Sequence, residues 1–258
     1  MLFTPFLYIK FLSLYLKYTL FVDIMLIIIL YHGGSMDGKL IVIEGLDGSG
    51  KSTQENLLKE KLTDLGIKVN FIKLPNYDDP ACELVKMYLA GRFGKKPGDV
   101  NAYAASAFFA VDRYVSYNCY WKEQYLNGEI FLADRYTTSN AYHQLTKTNK
   151  DEWDAYLEWL EDFEYGKMGI PKPDAVIYLD MPIEVSQKLM TGRYNGDESK
   201  KDIHEKDVEY LNNCREAADY ACSKLGWHRI NCSENGEPLP VEVISDAVLN
   251  AVKSALNL

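Results

Sequence analysis

The chain has 258 residues, 47% of them hydrophobic, and a formal net charge of −9. That is length for one α/β domain with a full core, and too apolar a composition for a disordered chain. An acidic chain without a basic block argues against nucleic acid as a partner, and five cysteines with no C-x-x-C pair fit a reducing cytoplasm better than a disulfide framework.

Residues 1–35 do not resemble the rest. They are apolar and aromatic, densest at Leu26–Leu30, with only Lys10, Lys17 and Asp23 charged. Asp23 interrupts the run from Thr19 to Tyr31, which leaves it short of the ~20 residues a transmembrane helix needs. No small-residue cleavage site follows a basic start, so a signal peptide fits poorly too. The expectation is a start codon taken too early. Met36 is then the true start, Gly33-Gly34-Ser35 is a translated ribosome-binding site, and 36–258 is a single domain without a membrane contact.

Lys39–Glu44 is short, apolar and β-branched, and predicts a buried strand. Next comes Gly45-Leu46-Asp47-Gly48-Ser49-Gly50-Lys51-Ser52-Thr53, which satisfies G-x-x-x-x-G-K-[ST]. Gln54–Leu65 then places Leu57, Leu58, Leu62 and Leu65 at helical spacing. Strand, glycine loop and helix are in the order a phosphate cradle requires. Glycines let successive N–H groups point at phosphate oxygens, and the helix N-terminus adds positive potential. Lys51 can reach the outer phosphates, and the Ser52 hydroxyl can ligate magnesium.

Gly66 stops the first helix, and Ile67–Lys73 reads as a second strand. The turn-rich stretch from Leu74 to Pro80 leads to a helix over Ala81–Ala90. A loop at Gly91–Gly98 precedes one long helix, Asp99–Asn127. Glu129–Ala133 is the third strand, followed by Asp134-Arg135-Tyr136. A short helix around Ser139–Thr146 and an acidic, Trp-bearing one from Asp151 to Tyr165 come next. Pro171 and Pro173 break the chain before a fourth strand, Asp174–Asp180. Pro182–Met190 starts a helix, and the charged, glycine-bearing stretch 191–203 reads as mobile. His204–Leu225 is helical, Trp227–Asn231 is the fifth strand and Pro240–Leu256 the last helix. Strands alternating with helices predict a three-layer α/β/α domain with a five-stranded parallel sheet of the P-loop NTPase type. Ligands then sit at the C-terminal strand ends, where Gly45, Pro75, Asp134 and Cys232 fall.

Asp134 ends an apolar strand, where P-loop enzymes place an acid that holds magnesium. The competing reading is a helix N-cap. Arg113 and Arg135 each follow an aspartate. Arginine's planar fork suits phosphate oxygens, although most arginines serve in surface ion pairs.

In this order and spacing, Ile41–Thr53, Phe109–Arg113, Asp134-Arg135-Tyr136 with Ser139-Asn140-Ala141-Tyr142, and Pro171-Lys172-Pro173-Asp174 with Tyr178-Leu179-Asp180 resemble thymidylate kinases. These nucleoside monophosphate kinases move the γ-phosphate of ATP to dTMP. The resemblance covers roughly residues 38–256. It implies ATP bound at Gly45, Asp47, Gly48, Ser49, Gly50, Lys51, Ser52 and Thr53, with adenine near Cys232 and Ser233. It implies Mg2+ at Ser52 and Asp134. It implies dTMP held by Asp47 at the sugar 3′-hydroxyl, by Phe109 stacked on the base, and by Pro75, Arg113, Arg135, Asn140, and Tyr142 or His143. Lys51, Arg135 and Arg193 then serve catalysis, Arg193 from a lid at 191–203 that Lys200 and Lys201 could assist. A homodimer through the long helix is also implied. Two departures stand out. Tyr77 occupies the place of a family arginine, for which Lys73 could substitute, and the role of Asp112 is open. Tyr77 keeps a kinase for another pyrimidine nucleotide or nucleoside in play. A non-catalytic nucleotide-binding regulator is the alternative outside enzymes, which the joint presence of Lys51, Ser52, Asp134 and Arg135 disfavours.

Overall fold

A computed structural model describes residues 37–193 and 208–257, with 191–193 as backbone only. From Gly38 onward the chain forms one compact unit. The expected extension 1–35 and most of the expected lid lie outside the described residues.

Five parallel strands lie in the order β2-β3-β1-β4-β5: β1 Lys39–Gly45, β2 Asn70–Lys73, β3 Ile130–Asp134, β4 Ala175–Asp180 and β5 His228–Asn231. β1 is central, with Ile43 opposite Asp134 on β3 and opposite Ile177 on β4. Its alternating side chains explain the layering. Ile41 and Ile43 pack with Leu58 and Leu62 of α1 (Lys51–Asp64) and with Val248 and Val252 of the last helix. Leu40 and Val42 pack on the other face with Trp121, Tyr125 and Phe131. Both faces are buried, so β1 reads as a continuous apolar run.

The remaining helices are α2 Glu83–Leu89, α3 Ala102–Ser116, α4 Lys122–Leu126, α5 Thr137–His143, α6 Trp153–Glu161, α7 Ile183–Arg193, α8 Val208–Leu225 and α9 Val241–Leu256. The expected single helix 99–127 is divided. Asn101 caps α3 by accepting from the Ala104 N–H, and a π turn at Tyr117–Trp121 separates α3 from α4. The wider turn keeps Tyr117, Trp121 and Tyr125, spaced by four, stacked edge-on over the same sheet face. A second π turn, Asp162–Lys167, ends α6.

One hairpin escaped the sequence reading: β6 Ser233–Glu234 pairs antiparallel with β7 Glu237–Pro238. Its turn is Asn235-Gly236, both at positive φ (53° and 80°), the dipeptide such turns favour. No described helix is long and apolar enough to cross a membrane.

Candidate active site

The C-terminal ends of β1, β3 and β2 open into a cavity of about 700 Å³. Its floor is the glycine loop after β1. Gly45 has φ 153°, and a Cβ there would stand 2.5 Å from Ser49 Oγ and 3.0 Å from Leu179 O, so only glycine lets the loop close against β4. Gly50, at φ 90°, turns the chain into α1 with no side chain capping the first turn and no acid in it. That leaves the helix N-terminus open to an anion.

Lys51 folds back over this loop. Its Nζ donates to Gly45 O at 2.8 Å and Leu46 O at 3.2 Å, and lies 3.7 Å from Asp47 Oδ1. Burial lowers its pKa to about 8, with Arg135 adding to the effect and Asp47, Asp134 and Glu44 opposing it. Ser52 and Thr53 line the cavity beside it.

Arg135, just past β3, donates from Nη2 to Asp47 Oδ1 at 2.5 Å and from Nη1 to Tyr142 OH at 3.2 Å. Burial works against its charge, but Asp47, Tyr142, Glu44 and Asp134 outweigh that and hold the guanidinium firmly protonated. Its backbone sits at φ 70°, a left-handed conformation that costs a non-glycine residue about 1–3 kcal/mol.

Asp134 ends β3 and is 6% exposed. Its Oδ2 lies 3.5 Å from Lys73 Nζ, and its buried Oδ1 has no hydrogen-bond partner among the described residues. An orphaned carboxylate oxygen in the cavity that Ser52 also lines fits a magnesium site. No cluster of three metal-ligating side chains exists among the described residues. Magnesium takes one or two carboxylates and completes its shell with phosphate and water.

At the far wall Arg113 is 3% exposed and forks onto Glu164, from Nε at 2.6 Å and from Nη2 at 2.5 Å. Burial alone would lower its pKa, but the Glu164 carboxylate raises it. Asn140 Nδ2 reaches Ser106 O and Glu164 Oε1, both at 3.3 Å. Phe109 meets the Tyr88 ring edge-on at 6.0 Å and also lines the cavity. Asp112, whose role was open, accepts from the Asn76 N–H at 3.1 Å and so pins the loop carrying Pro75 and Tyr77 at the cavity rim.

Of the expected residues, Asp47, Gly48, Gly50, Lys51, Ser52, Thr53, Pro75, Phe109, Arg113, Asp134, Arg135, Asn140 and His143 share this cavity. Gly45 and Ser49 shape the loop beneath it. Tyr142 is fully buried behind the wall with its hydroxyl 2.8 Å from Glu44 Oε2, so His143 is the member of that pair that lines the cavity. Cys232 and Ser233 are buried after β5, outside the cavity lining. Arg193 ends α7, and its side chain is outside the described residues.

Two buried acids went unrecognised as part of the site. Glu44, fully buried on β1, accepts from the Tyr136 N–H (3.2 Å), Thr138 Oγ1 (2.6 Å), Ser139 Oγ (2.9 Å) and Tyr142 OH (2.8 Å). It thereby ties the segment after Arg135 to the glycine loop. An acid ending an otherwise apolar strand was the available signal. Glu164 had none: it is one of several acids in that stretch, and its partners Arg113, Thr137 and Asn140 come from elsewhere in the chain.

A central-strand phosphate loop, an acid at the neighbouring strand end and arginines around one cavity define a P-loop phosphotransferase. The comparisons then narrow the class. The thymidylate kinase profile matches residues 43–240, and the chain belongs to that family. It is 29% identical over 192 residues to the thymidylate kinase of Mycobacterium tuberculosis, covering 73% of this chain and 87% of the relative. It is 31% identical over 181 residues to a probable thymidylate kinase of Saccharolobus solfataricus, covering 69% and 84%. A solved thymidylate kinase from Candida albicans superposes with a TM-score of 0.63 at 21% identity, over 86% of this chain and 93% of that one, which speaks to the fold.

Proposed function

We propose that the protein transfers the γ-phosphoryl group of ATP to dTMP, giving dTDP and ADP. One observation carries the reading: Arg135, Asp47 and Lys51 converge over an open helix N-terminus in a cavity that continues to Phe109, Arg113 and Asn140. A donor and an acceptor nucleotide can meet there end to end.

A dTMP phosphate oxygen attacks the γ-phosphorus. The new P–O bond forms as the bond to the β-phosphate oxygen breaks, and ADP leaves. A phosphate monoester has a second pKa of about 6, so it is a dianion at neutral pH and no general base is required. The barrier is repulsion between anions, so the work is positioning and charge neutralisation. Lys51 would exchange its carbonyl partners for the β- and γ-phosphates. Arg135 would leave Asp47 for the phosphates, freeing Asp47 for the sugar 3′-hydroxyl. Arg193 would act from the lid, whose closure keeps water from the γ-phosphate. Mg2+ held by Ser52 and Asp134 would supply the remaining positive charge across the phosphates. Phe109 would stack on the base, with Arg113, Asn140 and His143 beside it. Cys232 and Ser233 would border adenine.

The same reading includes a homodimer and a cytoplasmic location. Tyr103, Val111 and Tyr114 are exposed on one face of α3, which supports the first. Five free cysteines support the second. Sedimentation of the purified chain tests the dimer.

The deciding experiment supplies Mg·ATP with dTMP, dUMP, UMP, dCMP or thymidine and measures both products. Turnover of dTMP to dTDP is expected. Turnover of another acceptor alone would replace the substrate, and ATP binding without any turnover would make the protein a regulator.

A further inference from the structure

We infer that Glu44 is a positioning residue for phosphoryl transfer, holding the Arg135 guanidinium in place through the hydroxyls of Ser139 and Tyr142. The inference rests on the kinase reading above, in which Arg135 acts on the phosphates. Arg135 Nη1 donates to Tyr142 OH at 3.2 Å and to Ser139 Oγ at 3.4 Å. Both hydroxyls in turn reach the Glu44 carboxylate, Tyr142 OH at 2.8 Å and Ser139 Oγ at 2.9 Å. Glu44 is fully buried and outside the cavity lining, so it bears on the reaction only through these groups.

The protons settle the direction. A hydroxyl has one proton and a guanidinium has only donors, so a hydroxyl that points its proton at Arg135 repels it. A buried carboxylate is the stronger acceptor and takes that proton instead. Gly45 O also lies 3.3 Å from Tyr142 OH, but it is farther, uncharged and already bonded to Lys51. Burial, with Glu44 beside it, holds the Tyr142 pKa well above its ordinary value, so the phenol keeps its proton. Each hydroxyl therefore donates to Glu44 and turns a lone pair to Nη1. That pins one branch of the guanidinium and leaves Nη2 directed at Asp47 over the glycine loop. Glu44 also accepts from the Tyr136 N–H at 3.2 Å, next to the left-handed Arg135 backbone at φ 70°. A strained residue persists where its surroundings over-determine it. One buried acid thus fixes both the backbone and the side chain of Arg135. When Arg135 leaves Asp47 for the phosphates, the Nη1 contacts remain and the charge is already aimed.

The test is a double-variant cycle on kcat for dTMP at saturating Mg·ATP. Glu44→Gln keeps the shape but replaces one acceptor oxygen by a donor. It is expected to lower kcat by ~10–100-fold, the scale of a hydrogen bond to a charged group, with the ATP KM unchanged. In an Arg135→Ala background the same change should cost less than about twofold, because nothing is left to aim. An equal cost in both backgrounds, or a raised ATP KM with kcat unmoved, marks a merely structural role. Either overturns the inference, while wild-type dTMP turnover leaves the kinase reading standing. Tyr142→Phe with Ser139→Ala removes both links and replaces Glu44→Gln in the cycle if that variant does not fold. Calorimetric dTMP affinities, read the same way, complete the cycle if Arg135→Ala turns over too slowly to assay. Absence of dTMP turnover in wild type overturns the kinase reading and the inference together.

Discussion

Asp47 and Arg135, 88 residues apart in the chain, meet at 2.5 Å over the phosphate loop. Each engages the other, which holds a cation and an acid in a defined place in the cavity. Arg135→Ala is expected to lower kcat/KM for dTMP by ~10³–10⁵, the range for an arginine acting on a transferring phosphate. Arg135→Lys should not restore it, because an ammonium lacks the planar fork. Steady-state kinetics decide, and turnover within tenfold of wild type would remove Arg135 from the reaction.

Oδ1 of Asp134, without a hydrogen-bond partner among the described residues, makes the proposed magnesium requirement testable. Chelation with EDTA should abolish turnover and added Mg2+ restore it. Asp134→Asn should raise the Mg2+ concentration for half-maximal rate by ~10–100-fold. A magnesium titration with an unmoved midpoint would assign that oxygen to packing alone.

Lys51 should give the pH profile an alkaline limb. Its pKa in the free protein is about 8, and the cation is the form that neutralises phosphate. The kcat/KM for ATP should therefore be level below pH 8 and fall tenfold per unit above it. Bound triphosphate favours the cation, so kcat at saturating ATP should bend at higher pH. The stability effect has the opposite sense. The folded-state pKa lies below the ordinary 10.5, so the cost of burying the charge is present in full below pH 8 and is relieved between about 8 and 10.5. Coincident bends in the two rate profiles would contradict the assignment.

The buried Arg113–Glu164 pair is expected to be costly to break from either side. Glu164→Ala leaves a desolvated guanidinium and should lower unfolding free energy by ~3–5 kcal/mol in urea titrations. Arg113→Met combined with Glu164→Ala should recover part of that loss. Equal instability of the single and double variants would show that the pair's charges are not what sets the cost.

The strand, glycine loop and helix at 39–65 were legible because every signal in them is local. The apolar run, the glycines and the leucine spacing each act within one or two turns of chain. The strand order was legible only as a class, since alternation implies parallel strands without saying which are neighbours. The π turn at Tyr117–Trp121 was hidden because its aromatic spacing also suits a plain α-helix. The Asn235-Gly236 turn carries a local hairpin signal, but its strands are two residues each and too short to show alternation.

For the site, the residues of the glycine loop, Asp134 and Arg135 could be named from the sequence, since their positions are tied to strand ends. How those groups are engaged could not. The fork of Arg113 on Glu164 and the four donors gathered on Glu44 depend on segments brought together from distant parts of the chain. The sequence by itself determined which chemistry is present and at which strand ends it stands, because backbone periodicity and turn stereochemistry operate over a few residues. Tertiary structure alone decided which charges are spent on one another and which are kept for substrate, because that follows from packing between segments that no local window contains.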